Sequence, residues 1–286
     1  MLRILTDSTA DLPAALAQRM QVEIIPLQVT FEDGETYQDG LELSPDEFYE
    51  RLAQCHKLPS TSQPSPERFE EAFKEAQESG DELIAILLSS KISGTFQSAQ
   101  IASSLVDYDK IYLIDGLSAT LGNQLLVRLA VELRDEGRSA GEIVSILEDE
   151  KHKVRLLAVV DDLKYFRKGG RLSGAEAFAG TLLGIKPVVG MKNGQVGLVG
   201  KARGMPGAYV ALFKLLDQEG GLDPDKRYLV GYAAHHRAVE PIQKYLIGNL
   251  HLPAAEVFHI GPVIGTHAGP GAAGIAYFVK EPDKSE

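Results

Sequence analysis

Positive charge is scarce in this chain of 286 residues: 29 lysines and arginines stand against 40 aspartates and glutamates, a formal net charge of -11. That balance argues against nucleic acid or an anionic membrane surface as the main partner, because either selects a basic face. Cysteine is nearly absent. The single Cys55 permits no internal disulfide and no thiolate metal cluster, which fits a reducing compartment. No apolar run is long enough to span a bilayer, and MLRILTDSTADLP places Asp7 and Pro13 where a signal peptide needs an apolar core. A cytoplasmic location is therefore expected.

Several chemical signatures are also missing. There is no GxxxxGK[ST] loop and no acidic cluster suited to magnesium, so ATP turnover by this chain alone is not expected. There is no GxSxG elbow. His235 and His236 are adjacent, so on a strand they point to opposite faces, a poor metal-ligand geometry. No catalytic residue, metal or cofactor is assigned.

At 44% hydrophobic and 24% charged, the chain can bury a full core as one large or two medium domains. Strand-like runs (LRIL, VEIIPLQVTF from Val22, ELIAILL from Glu82, KIYLI from Lys110) alternate with helical spacing, which is α/β patterning. Ser44-Pro45-Asp46-Glu47 predicts a capped helix start, and Ser65-Pro66-Glu67 predicts another. A long helix through LLVRLAVELRDEG is expected to break at Gly137 before a second helix over about 139–152. VRLLAVVDD returns to a strand. Beyond it lie the glycine-spaced β runs KPVVG, GQVGLVG and RYLVGYAA, with helices near 209–216 and 239–250. We therefore expect an N-terminal domain over 1–160, a C-terminal α/β domain over 161–280 and a flexible tail over 281–286. Without a coiled-coil or edge-pairing signal, a monomer is expected.

Three hydroxyl-, glycine- and histidine-rich segments read together as one anion site. In SSKISGTFQSA, Ser93-Gly94-Thr95 falls at the start of a helix carrying Phe96, Ile101 and Leu105. Free N–H groups and the positive dipole end favour a carboxylate or phosphate there; the alternative is that Ser93 merely caps the helix. PSTSQPSP, from Pro59, is excluded from a helix or a central strand by its prolines. It reads as a rigid loop presenting Thr61 and Ser62, or as a linker. In GTHAGPGAAG, Gly269 to Gly274 matches GxGxxG, but no following helix, second strand or acidic ribose partner fits before the chain stops, so a dinucleotide fingerprint is rejected. His267 among these glycines can donate to an anion or charge-pair with it near neutral pH. A fourth segment, LKYFRKGGRLSG, concentrates Lys164, Arg167, Lys168 and Arg171 into a basic face that Lys201 and Arg203 extend.

LTDSTADLP, TSQPSP, SSKISGTFQSA, YFRKGGRLSG, GIKPVV and GTHAGPGAAG, in this order across nearly the whole chain, resemble the DegV family of bacterial fatty-acid-binding proteins. The resemblance implies two α/β domains, the first a Rossmann-like parallel sheet, with a lipid between them. It further implies a long-chain fatty acid whose carboxylate meets Thr61, Ser93, the Gly94 backbone and His267, with Ser62 nearby. Some members present that acid to a separate ATP-using kinase subunit, so Arg171 and Arg203 match positions for docking it or meeting the developing phosphate. Here KARG departs from relatives with a hydroxyl residue after the arginine. On this reading the chain is a lipid-binding protein and not an enzyme. A competing reading from the residues alone is a lipid hydrolase with Ser93 as nucleophile and His267 as base.

Overall fold

The computed structural model describes residues 1–173, 184–218 and 220–280; the expected tail over 281–286 lies outside them. β1 (Leu2–Asp7) pairs in parallel with β2 (Val22–Ile25) and with β6 (Glu82–Leu87), which pairs in parallel with β7 (Ile111–Asp115), giving the order β2-β1-β6-β7. β6 is apolar at almost every position because both of its faces are covered, as parallel sheets require. Leu83, Ala85 and Leu87 pack with α3 (Pro66–Ser79) and α4 (Thr95–Val106) on one side. Ile84 and Ile86 pack with α5 (Leu121–Asp135) and α6 (Ala140–Glu150) on the other. A short helix, α1 (Ala14–Met20), connects β1 to β2.

The start signals in the sequence act as expected. Ser44 Oγ accepts from Glu47 N at 3.3 Å, and Glu47 accepts from Ser44 N at 3.0 Å, opening α2 (Pro45–Gln54). Ser139 and Glu142 repeat the arrangement at α6, just after Gly137, whose φ of +81° ends the preceding helical segment. The run from Val22 is not one strand. Pro26 has no N–H for a ladder, and the chain leaves the parallel sheet there to form β3 (Gln28–Thr30). β3 pairs antiparallel with β4 (Thr36–Gln38) and β5 (Ser60–Ser62) in the order β4-β3-β5. The expected rigid loop PSTSQPSP therefore contains an edge strand between Pro59 and Pro64, where proline is tolerated.

The second sheet has the order β10-β9-β8-β13-β11-β12. Its strands are β8 (Val154–Val159), β9 (Ile185–Lys192), β10 (Gln195–Arg203), β11 (Tyr228–Tyr232), β12 (Glu256–His259) and β13 (Ala273–Phe278). Among these described strands, β11 and β12 pair in parallel and the other neighbours pair antiparallel. β9 and β10 form a hairpin turned by Asn193 (φ 50°) and Gly194 (φ 79°), a pair of left-handed residues that matches strand twist. α8 (Gly204–Gln218) and α9 (Glu240–Gly248) cover one face of this sheet through Leu212, Leu216, Ile242 and Leu246. α5 touches the other face as well as the parallel sheet, which is why it is buried around most of its surface. The chain changes sheet between β7 and β8, with α5 and α6 as the connection. The boundary expected at 160/161 falls after β8, a strand that pairs wholly within the second sheet.

On α4 the inward residues are Ser98, Ala99, Ala102 and Val106, while Ile101 and Leu105 are 46% and 64% exposed. Small side chains let α4 lie close to α3. Among the described residues, no helix is long and apolar enough to cross a membrane.

Candidate functional site

In the order β2-β1-β6-β7 the chain winds one way from β1 and the other way from β6, so the carboxyl ends of these two strands flank a crevice. Asp7, the last residue of β1, bridges it: its carboxylate accepts from Leu88 N at 2.7 Å and from Thr9 N at 3.0 Å. Burial nonetheless raises its pKa above the ordinary aspartate value. The loop after β6 carries Ser89 to Gly94 over the crevice. From the opposite side the tip of the β9–β10 hairpin reaches this loop, where Ser89 Oγ donates to Gly194 O at 2.7 Å.

Between the two sheets, under this contact, lies a cavity of about 370 Å³, within the range of small-molecule sites. One end is polar, lined by Thr61, Ser62, Gln63, Ser93, Arg171 and His267. The remainder, including Leu121, Leu156, Ala158, Ile260, Gly231 and Gly274, is apolar apart from Thr120. Five side chains singled out in the sequence thus meet at one end of one cavity.

α10 (Pro262–Ala268) carries His267 in its last turn, so the histidine is on a helix and not in the glycine turn that follows. Its Nε2 lies 2.9 Å from Thr61 Oγ1 on the edge strand β5. Its Nδ1 is buried without a hydrogen-bond partner and faces the Cα of Gly169, the last residue of α7 (Lys164–Gly169). Desolvation, aided by the Arg171 charge, lowers the His267 pKa to about 4. Burial and Arg171 thus favour the neutral ring, a donor or acceptor without charge, where the sequence led us to expect charge pairing.

Arg171 supplies the positive charge instead. Its Nε donates to Ile92 O at 3.2 Å and its Nη1 to Gly169 O at 2.6 Å. It makes no ion pair with a carboxylate among the described residues. Two carbonyls hold the guanidinium in place without neutralising it. A half-buried cation with no carboxylate partner among the described residues, beside neutral hydroxyl and imidazole groups, suits a carboxylate or phosphate.

Ser93 lies just before α4, whose N-cap is Gly94 without a side-chain cap bond. Ser93 Oγ bonds Thr95 Oγ1 at 2.9 Å, whereas the Nε2 of His267 is engaged by Thr61. The serine and histidine do not form a nucleophile–base pair, so the hydrolase reading fails on geometry. Gly94 does not line the cavity. A Cβ there would fall 2.0 Å from Gln63 Oε1, so the glycine is needed for the Gln63 amide to lie across the helix start, where its Nε2 also donates to Ser98 Oγ at 3.0 Å. Gln63 was not singled out: within TSQPSP nothing marks it apart from its neighbours. Arg203 is exposed at the end of β10, away from the cavity. The basic segment containing Arg171 runs on into Gly174, which lies outside the described residues.

α10 is itself held by buried acids. Gly261 N donates to Asp11 at 2.9 Å, and Thr120 Oγ1 donates to the other Asp11 oxygen. Asp39 lies against the same glycine. Burial pushes Asp11 well up and Asp39 to about 7. Thr120 lines the cavity with φ 47° and ψ −129°, a conformation that costs on the order of 1–3 kcal/mol and that the Asp11 bond restrains. No sequence signal marks it. Among the described residues there is no cluster of metal-ligating side chains.

Fold and cavity together define a two-domain α/β protein, one sheet parallel and the other mixed, with a largely apolar cavity that has one polar end. The chain belongs to the DegV family, whose model, described as uncharacterised proteins, matches residues 1–280. It is 37% identical over 280 residues to protein DegV of Bacillus subtilis, covering 97% of this chain and 99% of the relative. A DegV family protein of Thermus thermophilus, solved as a fatty-acid-binding protein, superposes with a TM-score of 0.87 at 34% identity, covering 97% of this chain and 99% of that one. The DegV structure from Bacillus subtilis, described as fatty acid binding, gives 0.82 at 36% identity over 98% and 99% of the two chains.

Proposed function

We propose that this protein binds one long-chain fatty acid, its carboxylate at the Thr61–Ser93–His267–Arg171 end of the cavity and its chain in the apolar remainder. The observation that carries this reading is the split of one cavity into a polar end and an apolar body. Each methylene removed from water contributes about 0.8 kcal/mol, so a long chain supplies the affinity while the polar end fixes orientation. Ser62 and Gln63 add donors beside Thr61, and Gly94 acts indirectly by seating Gln63. Fatty acid binding in DegV relatives with the same fold supports the reading.

Arg203 and the exposed lysines and arginine of α7 form the surface from which the protein, as a cytoplasmic monomer, presents the carboxylate to a separate kinase subunit for acyl-phosphate formation. We place the domain division in the connection before β8.

Native followed by denaturing mass spectrometry of the intact recombinant protein, with analysis of the organic extract, tests the binding. A stoichiometric fatty acid that is lost in a Ser93→Ala, His267→Ala double variant is the expected result. Protein that remains empty after incubation with fatty acids refutes it.

A further inference from the structure

One row of register partners runs across the floor of the cavity. Val189 on β9 opposes Ala158 on β8, Ala158 opposes Gly274 on β13, and Gly274 opposes Gly231 on β11. Directly opposed residues point to the same side of a sheet, and all four line the cavity. Three successive positions with at most one side-chain carbon leave a trough running across the strands. The strands are about 4.8 Å apart, so from β9 to β11 the trough spans about 14 Å.

The two ends of the trough differ. Beyond Val189, Met191 and its partner Val196 lead towards Leu172 and Arg171, the polar end. At Gly231 the trough stops. The next partner is the buried Phe258, and a Cβ on Gly231 would fall 2.7 Å from Ile260 Cδ1 and 2.9 Å from Leu121 Cδ1. Ile260 arrives from the segment leading to α10 and Leu121 from the first turn of α5, so both methyls are held by elements anchored in the core.

We infer that Ile260 and Leu121 set the upper limit of acyl chain length in this protein, by closing the far end of the Gly231–Gly274–Ala158 trough. The inference rests on the fatty acid reading above. The Ile260 Cδ1 methyl is the stop nearest the trough floor, and shortening that side chain by one carbon opens space at the end without altering the polar end. Ala158 lies mid-trough, so enlarging it obstructs any chain that passes it.

The test incubates delipidated wild type, Ile260→Val, Leu121→Ala and Ala158→Val with an equimolar mixture of saturated fatty acids of successive chain length, and reads the bound distribution by native mass spectrometry. Ile260→Val is expected to gain about fourfold for the chain one methylene longer than the wild-type optimum, the factor carried by one buried CH₂. Leu121→Ala shifts the profile further in the same direction, and Ala158→Val moves it to shorter chains. Wild type that binds fatty acids, with an unchanged profile in a folded Ile260→Val, overturns the assignment and leaves the proposed function standing. Wild type that binds none overturns both. Ile260→Val, which removes a single methylene, provides the decisive reading even if Leu121→Ala fails to fold.

Discussion

Gly169→Ala is a sharp probe of the polar end because the new atom has one well-defined neighbour. A Cβ at this position would lie 2.2 Å from His267 Nδ1 and 2.8 Å from Cε1, where an ordinary contact begins at 3.4 Å. The ring must therefore retreat by roughly 1 Å, away from Gly169. Its Nε2 then moves relative to Thr61 Oγ1, and a bond now 2.9 Å long is stretched or bent out of hydrogen-bonding range. The backbone does not object: Gly169 has no positive φ, unlike Gly170 at +67°, and alanine is the better helix residue by up to about 1 kcal/mol. Overall stability should hold while the ligand contact is lost. One hydrogen bond to a charged group is worth about 1.5–3 kcal/mol, so fatty acid affinity should fall by roughly 10- to 150-fold. Displacement of a fluorescent fatty acid measures the affinity, and the imidazole nitrogen resonances report whether the Thr61 contact survives. A folded Gly169→Ala protein with wild-type affinity and a displaced ring would refute the role given to His267.

The buried acids predict a pH dependence. Asp39 is raised from 3.8 to about 7 by burial, so the native state holds its proton where the unfolded chain has released it. That contribution to stability is complete below the ordinary value and is lost as pH rises through about 7. Asp11 acts in the same direction. His267, lowered from 6.5 to about 4, acts in the opposite one, destabilising the fold as pH falls from 6.5 towards 4. Asp39 should therefore lower denaturant midpoints as pH rises from about 4 to about 7, offset by His267 up to about 6.5, and Asp39→Asn should remove that fall; an unchanged pH profile in the variant sinks the assignment. The two arginines should separate cleanly. Arg171→Gln should weaken fatty acid binding at least several-fold in a displacement titration, whereas Arg203→Gln, exposed and off the cavity, should leave it unchanged. Equal effects would show that the charge acts at long range and not by contact.

Much of the architecture was legible because local chemistry and tertiary outcome agree. The capping boxes at Ser44 and Ser139 satisfy helix N–H groups with residues three positions away, and the unbroken apolar run of β6 follows from burial on both faces. Pro26 dividing one apolar run between two sheets was equally local in cause, although the run was read as continuous. Thr61, Ser62, Ser93 and His267, grouped in the sequence as one anion site, line the same cavity.

Other features depend on partners distant in sequence. The runs VRLLAVVDD and RYLVGYAA placed Ala158 and Gly231 in strands, whereas Gly274 was read only within the glycine-rich segment, and only sheet register makes the three one row. Gln63 gained its role from Gly94, thirty-one positions away, and Thr120 from Asp11. The neutrality of His267 is likewise a property of burial and of Arg171, neither of which is written in the residues beside it. Sequence by itself determined the α/β layering, the helix starts and the chemical character of the polar end, since each depends on neighbours along the chain. The tertiary structure decided which of those groups meet, which proton His267 lacks and where the apolar chamber stops, because packing, desolvation and strand register exist only once distant segments are brought together.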